Sequence, residues 1–384
     1  MLEDRAIETS SQRRHWTFTP DELASKRRRN NEVAIQQIKQ IQLSRRDGEK
    51  EFERAACPPG DPMGVSIGGE PGFLTWEEEA AVVNYYCIKV IEISDHLELP
   101  TNVKATAVQY LKRFYLSNSP MLHHPKELVK TVVFLSTKTE NHYIPLQSFA
   151  SKIANTSPEE ILESEFLITQ GLRFMFDVRH PHRALEGGVM ELIGMLDGRI
   201  RPTPASDEAD MKEAQRKLLS LNPLSSGDPS TNVRNRIFKA HAESKEILKT
   251  SALVTDAYFC YLPSQIWLGA LILADQPLGE FLLEVKLADP EERQAAQDRV
   301  MACARLLRQC PYSRDLKLSA EQNVQLKRLH KTMKTIQQSM ATPAPSERDV
   351  SRKRNGNAEL DPSPSKTKKS KIDGGDPFGP PLVR

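Results

Sequence analysis

The sequence predicts an all-α protein, because helical periodicity runs through most of the chain while strand-like patterns are scarce. From Thr75 to about Met340, apolar residues recur at the three- and four-residue intervals that place them on one face of a helix. Alternating runs of β-branched residues bounded by turns are few. An early helix start supports this class, since Thr19-Pro20-Asp21-Glu22 offers an N-cap threonine, a proline in the first turn and a glutamate three residues after the cap.

The first elements in chain order are an extension, a helix and a loop. Residues 1–18 form the extension, residues 19–45 the N-terminal helix, and residues 46–74 a loop that becomes rich in Pro and Gly. The basic run Lys26 to Arg29 on the helix is interpreted as a solvated face. The loop glycines lack the Gly-Lys-Ser/Thr ending of a phosphate-binding loop, so no nucleotide cofactor is expected.

Two similar series of helices follow, and their likeness predicts an internal repeat. The first series occupies residues 75–178 and the second residues 179–311, with an insert at 198–231 to which no function is assigned. The segments PKELVKTVVFLSTK, from Pro125, and PSQIWLGALILAD, from Pro263, carry proline and apolar residues at matching positions. Each follows an aromatic-rich helix ending in Tyr-Leu, so two five-helix repeats are expected. The predicted helices span residues 76–96, 101–117, 125–138, 145–154, 158–173, 182–197, 232–260, 263–274, 278–287 and 290–309.

The chain closes with a helix and a tail of different composition. Residues 312–340 carry apolar residues at helical spacing and predict a C-terminal amphipathic helix. Residues 341–384 are dominated by Pro, Ser, Gly and Lys, and disorder is expected there.

The composition limits the kinds of partner. The 384 residues are 39 % apolar and carry 53 basic against 51 acidic residues, so the net charge of +2 gives little attraction for nucleic acid or anionic membranes. The five cysteines are scattered without zinc-type spacing, and the sequence shows neither a signal peptide nor an apolar run that could span a membrane. An intracellular protein without a metal site is therefore expected.

The stretch TAVQYLKRFYLSN, Thr106 to Asn118, interleaves aromatic and basic residues, which fits either a nucleic-acid platform or a core helix. Its helix is apolar on both sides, which indicates a position in the middle of a bundle. Lys112 and Arg113 are expected to snorkel or to pair with carboxylates. The core-helix interpretation is therefore favoured.

Enzyme signatures are missing from the sequence. GxSxG, HExxH, Walker and Rossmann patterns do not occur in a suitable context. His123-His124 and His180-Pro181-His182 lie at predicted helix boundaries without nearby Cys or paired carboxylates, and are interpreted as loop histidines. A binding protein without catalytic group or cofactor is expected.

Several segments resemble the cyclin family, and within it the cyclin H group. They are SSQRRHWTF from Ser10, YLKRFYLSNS from Tyr110, HPKELVKTVVFLSTKTEN from His124, LESEFLITQGLRF from Leu162 and TDAYFCYLPSQIWL from Thr255. The resemblance implies two five-helix cyclin repeats, flanked by N- and C-terminal helices that pack near each other. It also implies a regulatory subunit of the CDK-activating kinase, which is the kinase module of the transcription factor TFIIH. Its partners would be a cyclin-dependent kinase, a RING-finger assembly factor and the TFIIH core, and its location the nucleus.

The resemblance carries over two binding residues. Lys138 matches the lysine that ends the third helix of the first cyclin repeat, and Glu165 matches the fifth-helix glutamate paired with it. In cyclins this pair hydrogen-bonds kinase backbone beside the kinase αC helix, which implies the same role here. The alternative is a surface ion pair without function.

The sequence also departs from the pattern of its relatives. Cell-cycle cyclins place Asp where Lys112 stands and pair it with an Arg of the first helix, but the first helix here, EEEAAVVNYYCIKVIEIS, has no Arg. The carboxylate that meets Lys112 is left open. Ser136 and Thr137 replace the usual Ala and Cys before Lys138.

The tail offers two regulatory features. Two basic clusters resemble a bipartite nuclear-import signal, with a solubilising tail as the alternative. The basic residues concerned are Arg352, Lys353, Arg354, Lys366, Lys368, Lys369 and Lys371. Ser363, in Ser-Pro-Ser-Lys, fits a cyclin-dependent kinase target, and a phosphate of about −2 charge there would oppose the adjacent lysines.

The expected function is thus activation of a cyclin-dependent kinase, supporting phosphorylation of the RNA polymerase II C-terminal domain, transcription and cell-cycle control. Two alternatives remain open: another transcription-type cyclin, and a cyclin-fold transcription adaptor that binds promoter DNA. The second would need a basic face on the repeats.

Overall fold

The structure, a computed structural model, describes residues 9–56, 72–154, 156–221, 228–312 and 315–341, with backbone alone from 46 to 56. Every regular element in these ranges is a helix, so the predicted all-α class is confirmed. The predicted disordered tail lies outside the described residues, apart from Ala341.

The N-terminal part contains a short helix, α1 (Ser11–His15), and a long one, α2 (Pro20–Ala56). The capping box predicted for α2 is present: Thr19 Oγ1 accepts a hydrogen bond from the Glu22 backbone at 3.3 Å, and Glu22 Oε2 accepts one from the Thr19 backbone at 2.8 Å. The prediction that this helix ends at 45 and that a loop begins at 46 is wrong. The helix continues to Ala56 because no proline interrupts it, and its single glycine is tolerated.

The helices of the first repeat are α3 (Trp76–His96), α4 (Thr101–Phe114), α5 (Pro125–Thr139), α6 (Leu146–Ser151), α7 (Pro158–Glu163) and α8 (Glu165–Gly171). Helix α4 lies at the centre and contacts α3, α5 and α8. A side chain at Gly171 would overlap the buried ring of Phe114, so glycine allows the close approach of α8 to α4. The predicted single helix over 158–173 is wrong, because the chain breaks at Ser164 between α7 and α8.

The helices of the second repeat are α9 (His182–Leu196), α10 (Glu208–Ser220), α11 (Pro229–Lys249), α12 (Ser251–Val254), α13 (Ala257–Cys260), α14 (Pro263–Ala274), α15 (Gln276–Lys286) and α16 (Pro290–Arg308). Helix α14 is central here and contacts α9, α11, α15 and α16.

The structure corrects two predictions for this repeat. The interrupted segment 198–231 contains α10, which buries Ala214 and Leu218 against its neighbours, so part of the predicted insert belongs to the packed repeat. The predicted helix over 232–260 is three helices. The first of them, α11, begins at Pro229, because the Asp228 side chain caps its N-terminus. It ends before Thr250, whose φ of −119° and ψ of −85° are not helical.

The C-terminal helix α17 (Ala320–Met340) packs against α2 and α3, so the flanking helices meet as expected. Leu329, Met333 and Ile336 form its buried stripe. Gln42 Nε2 donates a 2.7 Å hydrogen bond to Ser339 Oγ and joins α2 to α17. The helix begins at Ala320, later than the predicted 312.

Candidate functional site

Lys138 and Glu165 are brought together at one surface of the first repeat. Lys138 lies in the last turn of α5, Glu165 is the first residue of α8, and Lys138 Nζ lies 2.5 Å from Glu165 Oε1. Their side chains are 36 % and 22 % exposed. At this exposure an ion pair stabilises folding by less than about 1 kcal/mol. The Lys138–Glu165 ion pair therefore contributes little to the stability of the fold. Its role in kinase binding stays a prediction.

Two large apolar residues that lie close to Glu165 in the sequence are exposed. Leu162, at the end of α7, is 48 % exposed, and Phe166, the second residue of α8, is 65 % exposed. Large apolar side chains next to a polar pair are typical of protein interfaces, where the apolar groups supply affinity and the charges fix orientation. We refer to Lys138, Leu162, Glu165 and Phe166 as the α5–α8 surface.

The end of α5 that carries Lys138 is rigidly packed. Ser136 and Thr137 are fully buried, and their hydroxyls donate 2.7 Å hydrogen bonds to the carbonyl oxygens of Val133 and Phe134. These bonds satisfy the two hydroxyls that replace the usual Ala and Cys. The Lys138 Nζ atom also lies 4.5 Å from the centroid of the Phe134 ring, a cation–π contact that helps to hold the ammonium group in place.

Asp256 is the carboxylate that meets Lys112. Lys112 is 3 % exposed, and its Nζ lies 3.5 Å from Asp256 Oδ1 while also donating to the backbone carbonyl of Thr255. Arg27 of α2 makes two parallel 2.7 Å hydrogen bonds to the same carboxylate. This cluster, Arg27–Asp256–Lys112, joins the N-terminal helix, the first repeat and the second repeat.

The two cations decide the ionisation of Asp256. Burial alone would raise its pKa, but the charge of Lys112 and the hydrogen bonds from Arg27 outweigh burial and lower the pKa to about 2. Sequence reasoning missed this cluster, because Arg27 lies in the run that was interpreted as solvated. The useful signal was the TDAY segment, which holds Asp256 among apolar residues.

Arg113 joins the N-terminal RHWTF segment to the KRFY helix. Its guanidinium donates to the carbonyl oxygen of Asp177 at 3.0 Å and to Gln12 Oε1 at 3.3 Å. The guanidinium carbon lies 5.2 Å from the centroid of the Trp16 ring. Burial lowers the pKa of Arg113 to about 10. The RHWTF segment therefore packs on the KRFY helix.

The aromatic residues of the same stretch are unavailable to bases. Tyr110 and Phe114 are fully buried, and Tyr115 is 6 % exposed. Nucleic-acid platforms need exposed rings on which bases can stack. The core-helix interpretation is confirmed.

Glu79 of α3 is a buried acid that the sequence did not reveal. It is 6 % exposed, and its Oε1 accepts a hydrogen bond from the Ser119 hydroxyl. Burial raises the pKa of Glu79 to about 7, although hydrogen bonds from Ser119 and Asn31 oppose the shift. The folded state therefore favours the protonated form of Glu79 more than an exposed glutamate would.

Two of the predicted loop histidines, His180 and His124, have hydrogen-bonding partners. His180 Nε2 lies 2.8 Å from Thr106 Oγ1 and its Nδ1 lies 3.2 Å from Tyr258 Oη, and burial lowers its pKa to about 3. His124 caps α5, with Nδ1 accepting from the Lys126 backbone at 3.1 Å. Among the described residues, no group of three or more His, Cys, Asp or Glu side chains is arranged to hold a metal ion.

Two further predictions lie outside this geometry. Ser363 and the basic clusters around Arg352 and Lys368 fall outside the described residues. Within the described part of the chain, the helices are too short or too polar to cross a bilayer.

Comparisons with known proteins place this architecture in a family. The sequence profile for the cyclin N-terminal domain matches residues 74–177, and that for a cyclin C-terminal domain matches residues 180–341. Cyclin CCL1 of Saccharomyces cerevisiae is 32 % identical over 76 % of this chain, which spans 64 % of the length of that relative. Cyclin-H1-1 of Arabidopsis thaliana is 30 % identical, with 71 % of each chain covered.

Two solved structures share the fold. A chain of the CAK complex from Chaetomium thermophilum, bound to ATP-γ-S, aligns over 94 % of this chain and 100 % of its own length, with 29 % identity and a TM-score of 0.68. A chain of yeast TFIIK, the Kin28/Ccl1/Tfb3 complex, aligns over 78 % of this chain and 99 % of its own length, with 26 % identity and a TM-score of 0.53. Together with the packed repeats, these matches show that the chain belongs to the cyclin family, in its cyclin H group.

Proposed function

We propose that this chain is a regulatory subunit that binds and activates a cyclin-dependent kinase. The observation that carries the proposal is the α5–α8 surface, where an oriented ion pair is flanked by exposed Leu162 and Phe166. The apolar pair would supply contact area, while Lys138 and Glu165 would hydrogen-bond kinase backbone and fix the register of docking. The likeness to chains of CAK and TFIIK complexes supports this assignment.

Activation would be conformational. Docking against the α5–α8 surface would push the kinase αC helix inward, so that its glutamate meets the lysine of the third kinase strand and the activation loop is reordered. This chain would supply binding energy and no catalytic group. Rigid packing at the end of α5 suits this role, because a soft surface would yield to the kinase instead of displacing it.

The wider assembly follows from the same relatives. We infer that a RING-finger assembly factor is a further partner, which is supported by the three-part composition of the yeast Kin28/Ccl1/Tfb3 complex. We also propose the TFIIH core as a partner, on the resemblance to the cyclin H group alone. The kinase would phosphorylate the RNA polymerase II C-terminal domain and serve transcription and cell-cycle control in the nucleus. The basic clusters of the tail would direct import, and phosphorylation of Ser363 would tune import or activity.

Affinity purification of the intact chain followed by mass spectrometry tests the proposal. Recovery of a cyclin-dependent kinase, a RING-finger protein and TFIIH subunits together is the expected result, and kinase activity in the eluate should depend on this chain. Recovery of a kinase without TFIIH subunits would favour another transcription-type cyclin. Absence of any kinase, together with a salt-sensitive shift of promoter DNA by the isolated chain, would favour the DNA-binding adaptor.

A further inference from the structure

Two cations lie against a small apolar cluster that joins the N-terminal segment to both repeats, and a third cation lies one helical turn from the first. Lys26 and Arg29 lie one helical turn apart on α2, and Arg173 follows the end of α8. Lys26 Nζ lies 5.8 Å from the centroid of the Phe18 ring, and the Arg173 guanidinium carbon lies 6.0 Å from the centroid of the Trp16 ring. Trp16 and Phe18 belong to the same apolar cluster, so the two cations lie along one rim.

These cations have no acidic partner among the described residues. In the part of the chain that the structure describes, Lys26, Arg29 and Arg173 form no ion pair with a carboxylate, whereas the adjacent Arg27 makes a bidentate pair with Asp256. Burial, and then the charges of Arg173 and Arg29, lower the pKa of Lys26. The ammonium group of Lys26 therefore lies close enough to both arginines to be repelled by their charges, and an anion beside it would relieve that repulsion.

The backbone of Arg173 has a conformation that favours glycine over arginine. Arg173 follows the C-cap of α8 with φ +54°, in the left-handed region. Its backbone N–H donates to the carbonyl oxygen of Gln170 at 2.8 Å, and that of Phe174 donates to Thr169 at 3.1 Å, which closes the helix end. Glycine is the favoured residue at such a position, because a Cβ atom opposes this conformation. An arginine there therefore has a conformational cost in the folded chain.

We propose that Lys26, Arg29 and Arg173 bind the phosphate of a phosphoserine or phosphothreonine in a protein segment. A phosphate carries a charge of about −2 and acceptor oxygens that suit two guanidinium forks and an ammonium group. Trp16 beside the site is 3 % exposed and cannot stack on a base. A nucleic acid would need a longer basic track with open rings, which favours a single phosphorylated side chain as the ligand.

The position of the site suits a segment of a docked protein. Arg173 lies eight residues after Glu165, at the opposite end of α8, so it is roughly 12 Å along the helix axis from the α5–α8 surface. Phosphopeptide binding at this site can be measured on the isolated chain, so its test is separate from the test of kinase docking.

Fluorescence anisotropy with a labelled peptide carrying one phosphoserine among Gly and Ser residues tests the proposal, at an ionic strength of about 0.15 M. The native chain should bind this peptide at least about tenfold more tightly than its unphosphorylated form, since each charge-assisted hydrogen bond is strong enough for that factor. Arg173→Gly and Lys26→Met should each weaken binding by about tenfold, while Lys239→Met, at an exposed lysine of α11, should not.

The Arg173→Gly variant separates binding from folding. Glycine suits the left-handed backbone, so its thermal midpoint should equal or exceed that of the native chain. Equal affinity for the two peptides, or native affinity in Arg173→Gly, would overturn the proposal. It would also be overturned if a 12-nucleotide single-stranded RNA, or vesicles containing phosphatidylserine, bound as tightly as the phosphopeptide in a manner that Arg173→Gly abolishes.

Discussion

Replacing Asp256 with asparagine should destabilise the folded chain by about 3 kcal/mol, because Lys112 would be left buried without its counter-charge. Asp256 has its pKa lowered from 3.8 to about 2, and each pKa unit corresponds to about 1.4 kcal/mol in favour of the ionised form. The depressed pKa of Asp256 therefore corresponds to roughly 2–3 kcal/mol, and breaking a buried ion pair costs about 3–5 kcal/mol. The two figures overlap near 3 kcal/mol.

Urea unfolding at pH 7 measures this change, with Asp298→Asn on the exposed face of α16 as the matched control. The control should alter the free energy of unfolding by less than about 0.5 kcal/mol. Adding Lys112→Met to Asp256→Asn should restore part of the loss, because the uncompensated charge is removed. A loss below about 1 kcal/mol for Asp256→Asn, with no rescue by Lys112→Met, would refute the electrostatic account of the cluster.

The cluster also predicts a pH dependence. Because the pKa of Asp256 is depressed in the folded state, its contribution is fully present above the unfolded pKa near 3.8 and is lost as the pH falls toward 2. Asp256→Asn should therefore lose less stability than the native chain over that window. Equal slopes for the two proteins would contradict the assignment.

Three further predictions concern stability. The raised pKa of Glu79 favours the protonated folded state, so the free energy of unfolding of the native chain should fall as the pH rises from about 4.5 to about 7. Glu79→Gln should remove this fall. Urea unfolding at a series of pH values checks it, and an unchanged dependence of the free energy on pH would contradict it. Gly188→Ala should cost about 1–3 kcal/mol in urea unfolding, since its Cβ would overlap the Trp267 ring; a neutral effect would show that the ring can move. Thr75→Ala should lower thermal stability by about 1 kcal/mol through loss of the α3 capping box, and Thr75→Ser should retain most of it.

The sequence predicted the elements whose signals are local. The cap at Thr19, the helix start at residue 76 and the proline starts at Pro125 and Pro263 lie where the structure has them. The predicted end of α2 was too early. The residues after 45 include a glycine and many charged residues, a composition that loops often have but that a helix also tolerates. Ser164 breaks the helix predicted over 158–173 without any proline or glycine to signal the break.

The candidate site was predictable only in part. Lys138 and Glu165 came from resemblance to cyclins, and the structure places them in contact. The partner of Lys112 could not be read from the chain, because Asp256 is remote in sequence and meets it only when the two repeats pack. Arg27 shows the limit of compositional reasoning: it is mostly buried and paired with Asp256, while its neighbours in the basic run form no ion pair within the described part of the chain.

The most direct test of kinase docking is the affinity of the purified cyclin-dependent kinase subunit for this chain and for two charge-reversal variants. Glu165→Arg places a cation beside Lys138 on the α5–α8 surface, and Glu284→Arg breaks a similar exposed pair with Lys217 on the second repeat. We expect Glu165→Arg to weaken kinase binding at least about tenfold while keeping the native thermal midpoint, and Glu284→Arg to bind as the native chain does. Native affinity and full kinase activation by Glu165→Arg would contradict kinase docking at the α5–α8 surface.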